Sequence, residues 1–259
     1  MSPERPRVHP SAAVGFELAV PDYELGRPGF PDAAVRFLVD RLRLGPGRVC
    51  VELGPGTGKL SQLLVPSGVR IVGIEPVDAM RRAFARNVPG GDLVGAVAEE
   101  LPLRDGVADA AVAAQAFHWF DGLRSLAELA RVLRPRSVLG LVWNIRDEDT
   151  PWVRAMTDVI EPYRGSTPSH RSMRWHAAFE TSDAWSAPER TSFAYVHRTT
   201  PDRVVARVLS ISFIAMLTDD ERAAVAGRVR EILPTGDEVD VPYVTGVWLS
   251  ELRSSATIA

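Results

Sequence analysis

Glu52, Gly54, Gly56 and Gly58 alternate along the chain where one apolar run, Val49 to Leu53, ends and another begins at Leu60. Glycine has no Cβ and tolerates positive φ, so a ligand can lie directly on the main chain there. Such a turn at a strand's carboxyl end also aims the next helix's free N–H groups into the crevice where open α/β sheets bind ligands. The chemistry is that of a nucleotide-type cofactor cradle, and the spacing decides which cofactor. A dinucleotide fingerprint reads Gly-x-Gly-x-x-Gly, whereas here the third glycine arrives one residue early. A P-loop needs Gly-x-x-x-x-Gly-Lys-[Ser/Thr]; Gly58-Lys59 is followed by Leu60 and preceded at the required distance by Leu53, so that reading fails.

The acids discriminate further. A carboxylate at Glu52 repels a pyrophosphate but welcomes a cationic amine or sulfonium. Glu75 closes the next apolar run, Val69 to Ile74, and suits both hydroxyls of a ribose as a bidentate acceptor. Together they favour S-adenosylmethionine, leaving as S-adenosylhomocysteine, over NAD. His118 follows the run Asp109 to Ala114. An imidazole titrating near pH 6.5 suits removing a proton from an acceptor hydroxyl or amine, while an acceptor carboxylate needs no base. The other role for His118 is to shape a pocket with Trp119. Arg146 can pair with an anionic acceptor in bidentate fashion. His170, Arg171, Arg174, Trp175 and His176 form a cluster suited to an acidic or aromatic acceptor. The histidines lack metal-ligand spacing such as His-x-x-x-His, and no metal is expected.

These residues need a scaffold, and the apolar periodicity supplies one. Pro31 begins a helix with Val35, Leu38, Val39 and Leu42 on one face, stopped by Gly45-Pro46-Gly47. Strands are expected over 49–53, 69–75, 93–97, 109–114 and 138–143, with helices after the glycine loop, around Met80, Ala83 and Phe84, and after Asp121. Nearly continuous apolar strands alternating with helices imply a Rossmann-like, doubly wound, mostly parallel seven-stranded α/β sheet. Four regions follow: a flexible N-terminus (1–15), a cofactor-binding core (16–150), a helical cap insertion (151–190), and late strands with a helical stretch completing the sheet (191–255).

The chain has 259 residues, 46% of them apolar and 24% charged, with a net charge of −3. That balance gives no support to nucleic-acid or membrane-surface binding, which favour basic patches. The single cysteine, Cys50, lies in an apolar strand and reads as a buried packing residue in a reducing compartment. All but one of the 30 basic residues are arginine, the exception being Lys59 in the glycine loop. A cytoplasmic monomer or homodimer acting on a small molecule is expected, since Met1 to Ser11 resembles no signal peptide and no apolar run approaches a membrane span.

Motifs along most of the chain resemble a known family. Tyr23 with Gly26-Arg27-Pro28-Gly29-Phe30-Pro31, the glycine loop, Ile74-Glu75-Pro76 with Met80, Ala98-Glu99-Glu100-Leu101-Pro102-Leu103, and Gln115-Ala116-Phe117-His118-Trp119-Phe120-Asp121 are similar to segments of class I S-adenosylmethionine-dependent methyltransferases of the small-molecule type. The group in view is that of trans-aconitate and ubiquinone/menaquinone biosynthesis. Arg131 to Pro135, Trp143 to Asp147 and Pro242 to Thr245 also fit, so the resemblance spans about residues 15–253. Two departures stand out: Pro135-Arg136-Ser137 replaces consecutive glycines before the fifth strand, and Pro21 precedes Tyr23.

The resemblance implies roles. Gly54, Gly56 and Gly58 let the methionine portion lie on the backbone, and Glu52 orients water or the amino group. Glu75, with Pro76, serves the ribose, Met80 the adenine face, and Ala98 and Glu99 the adenine edge. Gln115, at the end of the fourth strand, binds the cofactor, and Tyr23 and Arg27 close over it. His118, Trp119, Arg146 and Trp175 face the acceptor. Methyl transfer to oxygen of a carboxylate or hydroxyl is the favoured reaction. The alternatives are a cofactor-binding protein that performs no methylation and an NAD-dependent oxidoreductase.

Overall fold

The computed structural model of the chain describes residues 9–254. Its sheet has the order β3-β2-β1-β4-β5-β7-β6, built from β1 (Val49–Leu53), β2 (Arg70–Ile74), β3 (Asp92–Val94), β4 (Ala108–Ala114), β5 (Leu133–Arg146), β6 (Glu189–Thr199) and β7 (Val239–Glu251). β1 pairs parallel with β2 and β4, and β4 with β5, whereas β7 runs antiparallel to both β5 and β6. The order reverses at β1, so the crevice between the carboxyl ends of β1 and β4 is the switch point where ligands bind in such sheets.

Helices cover both faces because the strands are apolar on both sides. α2 (Asp32–Arg41) and α3 (Ser61–Leu64) lie on one face, where Leu38, Leu42 and Leu64 meet Cys50, Ile71 and Val142. Between β2 and β3 runs α4 (Asp78–Asn87). α5 (Gly122–Val132) covers the opposite face with Leu126 and Leu129, capped by the Asp121 side chain accepting from the Arg124 N–H. A third apolar cluster joins α6 (Pro151–Ile160), α8 (Pro201–Leu209) and α10 (Asp219–Ile232) to the first residues of β7. Because β7 is antiparallel, that cluster sits at the carboxyl end of the parallel strands and roofs the crevice. α9 (Ser212–Ala215) completes the roof, and the short α7 (Ala177–Thr181) packs against α5.

Three sequence expectations change. Residues 1–8 of the expected flexible stretch 1–15 lie outside the described residues, and from Pro10 the chain is helical: α1 spans Pro10–Gly26 and continues through Pro21. Gly15 and Gly26 let it lie against α9 and α8, since a Cβ on Gly15 would come within 2.4 Å of the Ser212 carbonyl oxygen and one on Gly26 within 2.2 Å of the Arg207 nitrogen. The third strand starts at Asp92 and ends at Val94, before the expected 93–97 is complete. The fifth extends back through Pro135, where the β4–β5 register slips and a proline without N–H costs no ladder bond. There Arg136 adopts φ +65°, the conformation that the missing glycine would supply. Among the described residues no helix is long and apolar enough to cross a membrane.

Candidate active site

The glycine loop and the β2–α4 turn are tied together by one side chain. Glu75 Oε2 accepts from the Gly56 N–H at 3.0 Å, and Oε1 from the Val77 N–H at 3.0 Å. Each oxygen keeps a further lone pair for a ligand. Gly54 and Gly56 both have positive φ. A Cβ on Gly56 would approach the Tyr23 hydroxyl no closer than 3.5 Å, so it would project into open cleft, which the absence of a side chain leaves free. Gly58 behaves differently. A Cβ there would stand 2.5 Å from Val88 Cγ2 and 3.0 Å from Phe84, so this glycine lets α4 close on the loop and lies outside the cleft.

A cleft opens over the glycine loop at the carboxyl ends of β1, β2 and β4. It gathers Tyr23, Gly54, Gly56, Glu75, Pro76, Met80, Ala98, Glu99 and Gln115 of the sequence candidates. The loop bearing Ala98 and Glu99 is braced from α5: the Leu101 N–H donates to Glu128, and Arg131 donates to the Leu101 and Leu103 carbonyls. Phe16 of α1 and Phe120 complete the walls. Arg27, Glu52 and Lys59 line an adjoining recess. Lys59 donates to the Glu24 carbonyl, and Glu24 accepts from Asn87, so α1 is fastened to the loop and to α4.

Glu52 is fully buried. Its Oε2 accepts from the Ser61 hydroxyl, while Oε1 is buried with no hydrogen-bond partner among the described residues. Burial pushes the Glu52 carboxyl up to about 7, against the Ser61 hydrogen bond, with Glu75 adding repulsion. Glu75 is likewise held up at about 7 by burial, opposed by the N–H groups of Val77 and Gly56 and by Arg81. An unsatisfied buried carboxylate oxygen, an open glycine cradle and a second carboxylate with spare acceptor capacity fit an adenosyl group bearing a cationic centre.

Gln115 ends β4 with φ +57°, rare for a residue with a side chain. Its N–H is held by the Val142 carbonyl at 2.8 Å, and its Nε2 donates to the Asn144 carbonyl at 3.3 Å. From there it lines the cofactor cleft, the recess beside Arg27, and a second chamber beneath the roof. Asn144 fixes the Arg27–Pro31 segment to β5, donating to the Gly29 carbonyl at 2.7 Å and accepting from Thr245 at 2.6 Å.

The second chamber contains His118, Trp119 and Arg146 as expected, together with His170 and Arg171 of the cap. Trp175 is placed otherwise. It is buried against Trp143, Trp248 and Phe179, donates to the His170 carbonyl, and touches only an outer recess. Arg164 and Arg207 were missed by sequence reasoning. Arg164 is one of many arginines in its region, but Arg207 interrupts the apolar run Val204-Val205-Ala206 … Val208-Leu209, a pattern that marks an inward-facing cation.

Of the two roles open to His118, its surroundings suit the pocket wall better than the base. The Trp143 indole N–H, a donor only, points at His118 Nδ1 at 3.2 Å. Nδ1 is therefore the acceptor nitrogen, and neutral His118 carries its proton on Nε2. Burial, with His170, Arg27 and Arg164 nearby, drives its pKa down to about 3. His170 is lowered to about 4 by burial and by Arg171, Arg164 and Arg146. What His118 offers the chamber is an N–H donor.

Residues 51–141 match the methyltransferase domain family. An uncharacterized methyltransferase of Mycobacterium tuberculosis is 34% identical over 239 residues, which cover 90% of this chain and 93% of that one. The chain belongs to the class I S-adenosylmethionine-dependent methyltransferases. This methyltransferase is also similar to an O-methyltransferase of Penicillium expansum, 28% identical over 163 residues and 59% of each chain. A solved structure designated a type II methyltransferase, from Anaeromyxobacter dehalogenans, has a TM-score of 0.63 at 26% identity and covers 88% of this chain and 97% of its own. The cofactor is S-adenosylmethionine, which separates the methyltransferase from an NAD-dependent oxidoreductase, as the glycine spacing and Glu52 had indicated.

Proposed function

We propose that this methyltransferase methylates oxygen on a small-molecule acceptor, a carboxylate in the first instance and a hydroxyl in the second, as a cytoplasmic monomer or homodimer. The observation that supports the carboxylate is the weakness of the available bases: among the described residues lining the chamber there is no Asp, Glu, Lys, Cys or Tyr, His118 presents an N–H, and burial beside Arg171, Arg164 and Arg146 lowers His170 to about 4. A carboxylate arrives already deprotonated. When bound, S-adenosylmethionine supplies an activated methyl, the new C–O bond forming from an acceptor lone pair as the C–S bond breaks and its electron pair passes to sulfur.

The protein's part is placement and electrostatics, the terms that dominate an in-line displacement. On this reading Glu75 and Pro76 hold the ribose, Met80, Ala98 and Glu99 border the adenine, and Gly54 and Gly56 carry the methionine portion. Glu52 serves the amino end through water or directly, and Tyr23 and Arg27 close the cleft. Arg27 lies over the Tyr23 ring, 4.5 Å from its centroid, and donates to Ser210, so α1 and α8 meet where the lid would act. Gln115 and the His118 N–H orient the acceptor at the junction, with Trp119 as the shared wall. The core 16–150 then holds the cofactor, while the cap 151–190 and the C-terminal part 191–255 enclose the acceptor.

The test is incubation of the purified protein with labelled S-adenosylmethionine and a panel of small carboxylic acids, alcohols and amines. Label in base-labile methyl esters is the expected result. Label confined to amines or carbon would overturn the oxygen assignment, and binding of the cofactor without transfer to any acceptor would favour the non-methylating alternative.

A further inference from the structure

The chamber beyond Gln115 gathers more positive charge than the neighbouring Glu148 and Glu161 neutralise. Arg146 Nη1 and Arg207 Nε and Nη1 are buried and have no hydrogen-bond partner among the described residues, and the same is true of His170 Nε2. Neighbouring arginines are already paired, Arg171 with Glu148 and Arg164 with Glu161. A guanidinium nitrogen stripped of water and left unpaired is costly, and a ligand that accepts from it recovers that cost. An anion is the ligand these donors fit.

That anion is not the carboxylate that receives the methyl. A carboxylate gripped by guanidinium N–H groups has its lone pairs engaged, which weakens it as a nucleophile, and on methylation it becomes a neutral ester. Anchoring through it would strip Arg146 and Arg207 of their counter-charge as the reaction proceeds. A separate anionic group, unchanged by the reaction, keeps both paired from substrate to product. We propose that the acceptor carries a second anionic group, held by Arg146 and Arg207 with His170 beside them, so that the substrate class is a small diacid or an acid bearing a phosphate. Ile160, Ile211 and Phe213 line the space between and suit a short apolar skeleton. This rests on the carboxylate-methylation reading and adds the group that fixes which acid is chosen.

The experiment is calorimetric titration of protein saturated with S-adenosylhomocysteine. The probes are succinate, glutarate and adipate, each beside its monomethyl ester, and inorganic phosphate. At least one diacid should bind ten-fold or more tightly than its monoester. Arg146→Gln and Arg207→Gln should each bring that ratio to within two-fold of unity while binding S-adenosylhomocysteine within three-fold of the parent. Because each removes an unpaired buried charge, neither should lower the ligand-free melting temperature, and Arg146→Lys should keep part of the preference whatever the Gln variants do. Phosphate binding that is lost in both Gln variants, without a diacid preference, would assign the second group to a phosphate. Diacids, monoesters and phosphate binding alike, or a preference surviving both Gln variants, would overturn the proposal. Failure to bind S-adenosylhomocysteine would instead refute the cofactor reading beneath it.

Discussion

The two halves of the crevice have opposite unsatisfied charges. On the cofactor side burial raises Glu52 and Glu75 to about 7, and a Glu52 oxygen has no partner. On the acceptor side burial lowers His118 to about 3, and the buried nitrogens of Arg146 and Arg207 have none. The carboxylates await a cation and the guanidiniums an anion, and Gln115 stands between them. On the proposed reading a sulfonium cofactor and an anionic acceptor are the pair that satisfies both halves. Their reaction cancels one positive and one negative charge at the junction, which a shared region of low dielectric favours.

The largest effect that would break this division comes from the cofactor half. Glu75→Ala should weaken S-adenosylhomocysteine binding roughly a hundred-fold, since each hydrogen bond to a charged group contributes about 1.5–3 kcal/mol. Titration should find diacid binding little changed, and a loss below about three-fold would remove Glu75 from the cofactor site. Next come the two glycines. Gly58→Ala drives a methyl into Val88 at positive φ, so melting should fall by several degrees for a cost of about 1–3 kcal/mol. Gly56→Ala shares the backbone strain but not the clash, and should lose more cofactor affinity than stability. The reverse ranking in paired melting and binding curves would undo the distinction.

A smaller effect is expected at His118. His118→Gln keeps a donor, so kcat should fall less than about ten-fold, and the parent rate should be level between pH 6 and 9. A rate that climbs through an inflection near neutrality and goes flat in the variant would restore a general base. The smallest effect is a pH slope. Glu52 holds its proton more tightly folded than unfolded, so its contribution to stability is present at low pH and lost as pH rises from about 4.5 through about 7. His118 slopes the other way, costing stability as pH falls from 6.5 toward about 3 because the unfolded chain takes the proton first. Calorimetry of the ligand-free protein should therefore find Glu52→Gln gaining on the parent as pH rises through that window, and His118→Gln gaining as it falls.

Much of the cofactor half is local in sequence, which is why it was legible. Glu52 and the loop glycines lie within a few residues of each other, and Glu75 ends the next strand, so a strand–loop–helix pattern with its acids identifies the cradle. The acceptor half is assembled from β5, the cap and α8, whose residues are far apart in the chain. Arg146 was nameable from its place after a strand, but Arg207 became a wall residue only when α8 came down over the sheet. α1 was hidden because residues 1–15 read as a flexible terminus and Pro21 as a departure in the entry segment, whereas Gly15 and Gly26 serve close contact with α9 and α8.

By itself the sequence determined the mostly parallel sheet and the kind of cofactor, because strand periodicity, glycine spacing and acid placement are short-range properties. Only the tertiary structure decided that Gly58 serves helix packing, that Trp175 belongs to the core, and that His118 carries its proton on Nε2. Each depends on a neighbour brought from elsewhere in the chain: Val88 of the turn after α4, Trp248 of β7 and Trp143 of β5. Burial then completed what spacing had begun, leaving a Glu52 oxygen on one side and nitrogens of Arg146 and Arg207 on the other with no hydrogen-bond partner among the described residues.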